Sequence, residues 1–165
     1  MILPIFRKSF RNKQNSKKIS FMKKIILLIA ISIITSVSYG QIKETITTEK
    51  NINSGLRLQI YYFHLTNRCH TCTSIEAEVR RNLDSLFTKE LNSDIVRFAA
   101  LNCEAKENEA IARKYDAYGA TLAFTVYKDG KEIKKIDLSN WAFSKIHKPE
   151  VFSAEFKHKI EEIIN

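Results

Sequence analysis

An apolar run, Leu56–Leu65 (LRLQIYYFHL), leads within three residues to Cys69-His70-Thr71-Cys72, and an amphipathic stretch follows. The run is rich in Leu, Ile, Tyr and Phe, the composition of a largely buried strand. Beyond the first cysteine, Ile75, Val79, Leu83, Leu86 and Phe87 recur at i, i+4, i+8, i+11 and i+12. That stripe predicts an amphipathic helix over 72–91, with Arg80, Arg81, Asp84 and Lys89 off it. Two cysteines three residues apart therefore stand where a buried strand gives way to a long helix. If the next strand joins the same sheet, the unit is β-α-β, with parallel strands and a right-handed crossover.

The rest of the chain supplies those partners. Asp94–Asn102 (DIVRFAALN) reads as a second buried strand, and Glu107–Tyr118 as a second helix with Ala110, Ile111 and Tyr115 on one face. Leu122–Lys128 and Glu132–Leu138 are strands joined at Asp129-Gly130, a strong hairpin signal. Trp141 falls in an expected loop (SNWAF). Pro149 suits the first turn of a last helix whose apolar side is Val151, Phe152, Phe156, Ile160, Ile163 and Ile164. The order β-α-β-α-β-β-α predicts an α/β domain: a small mixed sheet with helices on both faces. Residues 41–55 are polar with Ile42, Ile46 and Ile52 interspersed, an edge strand or a loose arm. The expected organisation is a leader over 1–40, this arm over 41–55, and one domain over 56–165.

Charge separates the leader from the rest. Of 27 basic residues, eight lie in 1–40 (Arg7, Lys8, Arg11, Lys13, Lys17, Lys18, Lys23, Lys24), where there is no acid; 19 remain against 18 acidic residues, a net +1 for 41–165. A nucleic-acid partner needs a basic face on the folded domain, so none is expected. Ile25–Val37 is a 13-residue run without charge, preceded by Lys23-Lys24 and followed by Ser38-Tyr39-Gly40. That is the pattern of a secretory signal peptide, short of the ~20 apolar residues of a spanning helix. Cleavage is expected near Gly40/Gln41, giving a periplasmic or secreted protein that touches a membrane only if the leader stays uncleaved. Met22 resembles a natural start, which makes 1–21 either an over-extended reading frame or a long leader segment. The mature chain, 125 residues from Gln41, can sustain its own core.

The cysteine pair carries the chemistry. Residues three apart on a first helical turn share a face, within the Cα separation of ~4.4–6.8 Å that a disulfide accepts. Unpaired N–H groups and the helix dipole favour an anion at the first cysteine, as do Arg68 beside it and His70 if protonated. A stabilised thiolate is the better-populated nucleophile and makes the disulfide more oxidising. Three readings fit the motif. A redox-active dithiol suits the junction and an exported location. A structural disulfide would close a very short loop and gain little entropy. A metal site lacks a second Cys pair, and the histidines at 64, 70, 147 and 158 have no zinc-finger spacing.

Around this motif the chain resembles the thioredoxin-like superfamily over most of Leu56–Asn165. The resemblance is carried by Ile60–Phe63 before Cys69-His70-Thr71-Cys72, Leu101-Asn102-Cys103-Glu104, Ala110 with Lys114-Tyr115, Gly119-Ala120-Thr121, and Tyr127–Glu132. The chain is also similar to small exported thioredoxin-like proteins labelled as ArsF-type nitroreductase subunits. The resemblance implies a thiol–disulfide oxidoreductase acting on protein thiols or disulfides, without metal or organic cofactor, recharged by a redox partner that it does not identify. Cys69 would be the attacking thiolate and Cys72 the resolving thiol.

Three positions depart from the family. Thr121 stands where a cis-proline is usual, and a trans peptide is expected because a non-proline cis bond costs ~2.5–4 kcal/mol. Arg68 replaces an aromatic. Phe63 replaces a buried acid, leaving His64 either as proton acceptor for Cys72 or as a hydrogen-bonded residue at a strand end. Cys103, the odd cysteine, is a half-buried small hydrophobe or the third sulfur of a soft-ion site with Cys69 and Cys72. A soft-ion binding protein and a redox-silent module that binds a partner therefore stand as the alternative functions.

Overall fold

The computed structural model describes residues 42–48 and 50–165. The expected leader and its cleavage site lie outside them. Ile42–Asn165 forms one compact unit. Its elements are β1 (Leu58–His64), α1 (His70–Leu86), α2 (Thr88–Asn92), β2 (Val96–Asn102), a 3-10 turn (Lys106–Asn108), α3 (Glu109–Lys114), β3 (Thr121–Lys128), β4 (Lys131–Asp137), α4 (Ser139–Lys145) and α5 (Pro149–Ile164).

Among the described residues the sheet has the order β2-β1-β3-β4. β1 runs parallel to β2, with Leu58 opposite Val96 and His64 opposite Asn102. It runs antiparallel to β3, with Phe63 opposite Thr121. The hairpin turns at Asp129 (φ 52°) and Gly130 (φ 73°), both left-handed, as a two-residue turn matched to strand twist requires. β4 is the exposed edge, and Lys131, Lys134 and Lys135 along it discourage further strand pairing.

Both faces of β1 are covered. Leu58, Ile60 and Tyr62 belong to a core with Ile75, Val79 and Leu83 of α1 and Phe152, Phe156 and Ile160 of α5. Tyr61 and Phe63 join Ala99, Leu101, Ala112 and Ala117 in a second core that includes α3. The expected α/β mixed sheet with helices on both faces is what forms.

Several boundaries differ from expectation. The helix expected over 72–91 starts at His70 and stops at Leu86, where Phe87 (φ −129°, ψ 23°) closes it by donating its N–H to the Leu83 carbonyl. Phe87 turns into the core while Leu86 is left exposed. The second helix is shortened to Glu109–Lys114, because Asp116 adopts φ 50° and redirects the chain. The loop expected around Trp141 is instead α4. Asp137 Oδ1 accepts from Ser139 N at 2.7 Å and starts the turn, and Leu138, Ala142 and Ile146 bury one face at helical spacing. Trp141 packs on Phe152 with ring centroids 4.7 Å apart and donates from Nε1 to Glu155 Oε2 at 2.6 Å. The arm makes a parallel bridge, Glu44 to Phe98, beside β2. Among the described residues no helix is long and apolar enough to cross a membrane.

Candidate active site

The register gathers the candidate residues at one end of the sheet. β1 and β2 both finish there, at His64 and Asn102, and β3 begins there at Thr121. Cys69 is the N-cap of α1, with extended backbone (φ −75°, ψ 159°), and its sulfur accepts from the Cys72 N–H at 3.1 Å. The two cysteines form a disulfide with Cα atoms 5.2 Å apart. Cys69 is exposed and Cys72 half-buried, so an incoming sulfur can reach the first and not easily the second. The first turn of the 17-residue α1 carries no acid that would oppose an anion at its N-terminus.

Tyr62, from the last turn of β1 alternation toward α1, fixes the second cysteine: its hydroxyl donates to the Cys72 carbonyl at 2.7 Å. Arg68 is not a free cation. Its Nη2 lies 2.5 Å from Glu76 Oε2, and its guanidinium sits 5.7 Å from the Tyr62 ring centroid. The contact is an ion pair without hydrogen-bond alignment, since Arg68 Nε and Nη2 and Glu76 Oε2 are buried with no hydrogen-bond partner. Glu76 also accepts from Arg80 Nε at 2.7 Å, and Arg80 reaches Glu44 of the arm. Glu44 in turn accepts from Ala100 N at 3.2 Å. Burial opposes the charge on Glu76, but Arg80 and Arg68 outweigh it and hold the carboxyl below its usual range. A charge ladder thus runs from the residue before Cys69 to the arm on the β2 edge.

The other predicted residues fall as follows. His70 opens α1, exposed, and its carbonyl accepts from Thr73 Oγ1 at 2.8 Å and Ser74 Oγ at 2.9 Å. His64 Nδ1 lies 3.0 Å from the Leu65 carbonyl, an oxygen that only accepts, so Nδ1 carries the proton. Thr121 opens β3, and its hydroxyl donates to the Gly119 carbonyl at 3.3 Å; among the described residues no peptide bond is cis. Cys103 donates from both N (2.9 Å) and Sγ (3.2 Å) to the His64 carbonyl, and burial pushes its thiol up. Among the described residues no three His, Cys, Asp or Glu side chains gather in a metal-holding cluster.

Sequence reasoning overlooked Tyr62, Glu76 and His147. Strand alternation toward the α1 face marks Tyr62, and the i+4 spacing Cys72–Glu76–Arg80 marks Glu76. Nothing local marks His147, which reaches the site only through packing of α4 and α5 against α1.

No family model and no curated protein matches the chain. Solved structures do. The Trx4 domain of ERdj5 is 14% identical, with 74% of this chain and 99% of that one covered and a TM-score of 0.47. Thioredoxin O2 from Arabidopsis thaliana in its oxidized state is 17% identical over 54% and 70% of the two chains, at a TM-score of 0.36. Fasciola hepatica thioredoxin is 26% identical over 60% and 88%, also at 0.36. The fold is thioredoxin-like. That statement stands on the chain's own strand order, the parallel β1/β2 pair, the closing β3/β4 hairpin and the disulfide at the start of α1.

Proposed function

We propose that this protein is a thiol–disulfide oxidoreductase of the exported compartment, working through Cys69 and Cys72. The observation that carries the reading is the exposed Cys69 at the N-cap of a long helix, its sulfur bonded to a half-buried partner one turn on. In the reducing direction the Cys69 thiolate attacks a substrate disulfide, forming a mixed disulfide and releasing one substrate thiolate, which takes up a proton. The Cys72 thiolate then attacks Cys69 Sγ and expels the second substrate thiolate. Two electrons pass to the substrate, and the Cys69–Cys72 bond re-forms. Oxidation of a dithiol substrate is the same path reversed. The helix N-terminus stabilises the thiolate of Cys69 in either direction, and the Tyr62 bond to the Cys72 carbonyl holds the resolving residue in register. Protein thiols or disulfides are the substrates, and a separate redox partner resets the pair.

Export rests on the Lys23-Lys24, Ile25–Val37 and Ser38-Tyr39-Gly40 pattern. N-terminal sequencing of protein recovered outside the cytoplasm should begin at Gln41.

The deciding measurement is the reduction potential of the Cys69–Cys72 couple together with trapping by Cys72→Ser. A couple between roughly −270 and −120 mV, and a covalent adduct of Cys72→Ser with protein thiols, are expected. A couple that never cycles and a variant that traps nothing would leave a module that binds a partner without redox chemistry. Stoichiometric Cu(I) or As(III) binding that Cys103→Ser abolishes would favour the soft-ion reading.

A further inference from the structure

Reduction changes the charge at the start of α1. Two electrons from a dithiol partner, with one proton, convert the disulfide to a Cys69 thiolate and a Cys72 thiol, so an anion appears on the N-cap sulfur. The residue before that sulfur is Arg68. Its guanidinium is already engaged: Nη2 lies 2.5 Å from Glu76 Oε2, and both side chains are largely buried. Arg68 Nε and Nη2 nevertheless lack a hydrogen-bond partner, as does Glu76 Oε2. The pair is therefore held by charge, and two guanidinium donors stay uncommitted on the residue that adjoins the N-cap.

Glu76 stands one turn beyond Cys72 and two beyond Cys69, on the face of α1 that carries both. Helical side chains lean toward the N-terminus, which aims this carboxylate back along the cysteine face. It meets the guanidinium beside Tyr62, whose ring centroid is 5.7 Å from the Arg68 guanidinium carbon and whose hydroxyl donates to the Cys72 carbonyl at 2.7 Å. Glu76 also accepts from Arg80 Nε at 2.7 Å, and Arg80 pairs with Glu44. Outward from Cys69 the charges thus alternate in sign: Arg68, Glu76, Arg80, Glu44. Also at this end of the sheet stand His64, His70 and His147, and an exposed Glu104 that accepts from the Thr66 N–H. Among the described residues Glu76 is the carboxylate that Arg68 pairs with.

We propose that Glu76 is a positioning residue that sets the redox potential of the Cys69–Cys72 pair by holding the Arg68 charge away from the Cys69 thiolate. The proposal rests on the redox reading of that pair. Glu76 acts through Arg68 and takes no part in sulfur exchange. With the carboxylate in place the thiolate meets a guanidinium whose charge is largely cancelled, the reduced form gains little, and the pair is the weaker oxidant. Without it, the guanidinium and its uncommitted donors serve the thiolate.

A double-mutant cycle tests this. Glu76→Gln keeps the shape and removes the negative charge, and its potential against glutathione should rise by about 30 mV, tenfold in the equilibrium constant. Arg68→Gln should lower the potential, because Glu76 then acts on the thiolate with less compensation. The double variant should return close to wild type. A merely structural pair would lose stability in every variant without separating the potentials by sign. The pH dependence of Cys69 alkylation by iodoacetamide in the reduced protein gives a second readout: its midpoint should move down in Glu76→Gln and up in Arg68→Gln. Single variants whose potentials and alkylation midpoints stay at wild type, or move the same way, overturn the role of Glu76 and leave the oxidoreductase standing. Opposite alkylation shifts in a protein whose disulfide exchanges with no protein substrate sustain the role of Glu76 and overturn the oxidoreductase.

Discussion

On the face that carries the reactive pair, Leu58, Ile60, Tyr62, Phe98 and Phe124 meet α1 and α5 through side chains almost entirely apolar. On the opposite face three buried polar residues stand in a row across the sheet, Arg97 opposite Gln59 and Gln59 opposite Thr125. Each has a partner. Thr47 donates to Gln59 Oε1 from N (3.1 Å) and Oγ1 (2.6 Å). Arg97 donates to Thr47 Oγ1 and Asn51 Oδ1, both at 3.1 Å, and pairs with Asp94. Tyr115 and Thr125 share a 2.5 Å hydroxyl contact. The first face is held by area removed from water, a force without direction. The other adds to its own apolar cluster of Tyr61, Phe63, Ala99 and Leu101 a set of hydrogen bonds that fix where the arm lies. The difference places the rigid packing behind α1, where the sulfur geometry needs it, and makes the arm a polar clamp.

The comparison can be broken most forcefully from the apolar side. Phe156→Ala should cost about 3–5 kcal/mol in urea unfolding, the range for a large aromatic removed from a core. A cost under about 1 kcal/mol would mean that face is loosely packed. Arg97→Ala should cost about 2–3 kcal/mol, because Gln59's partner Thr47 and Asn51 lose a buried donor. Proteolysis in the arm should accelerate with it; an unchanged arm would show that the clamp lies elsewhere.

A smaller effect separates the faces by pH. Burial pushes Tyr115 and Tyr127 up to about 12 from the ordinary 10.0. An unfolded chain ionises these phenols near 10 and the folded one resists to about 12. Their stabilisation is therefore complete below the lower value and is lost as pH rises through the higher one. Unfolding free energies measured across that window should fall, and Tyr115→Phe should flatten the decline. An equal decline in the variant would remove burial of the ring as its cause.

Tyr62→Phe is the gentlest probe. It keeps the ring and deletes one hydrogen bond, about 0.5–1.5 kcal/mol. The expected signature is a shifted Cys69–Cys72 potential with little loss of stability, and an unmoved potential would separate Tyr62 from the redox pair.

Much of this molecule can be read from its residues. β1, β2, the Asp129-Gly130 hairpin and α5 are carried by local pattern, since burial on both faces demands an apolar run and two left-handed residues demand Asp-Gly. α4 escaped because its face is only three small or aliphatic side chains spaced over a segment that looks polar. The split of the first long helix escaped because Phe87 fits the helical stripe equally well as a residue outside the helix. The cysteine pair was legible from its spacing. The pairing of Arg68 with Glu76 was not, because a cation beside a thiol looks available until the helix brings a carboxylate within reach.

The order of elements and the thiols at a helix start follow from the sequence alone, because periodicity and short-range spacing are local properties of the chain. Which charges those thiols feel, and that His147 lies beside His70, was decided only by the tertiary structure, because packing joins residues 77 positions apart to satisfy burial rather than neighbourhood.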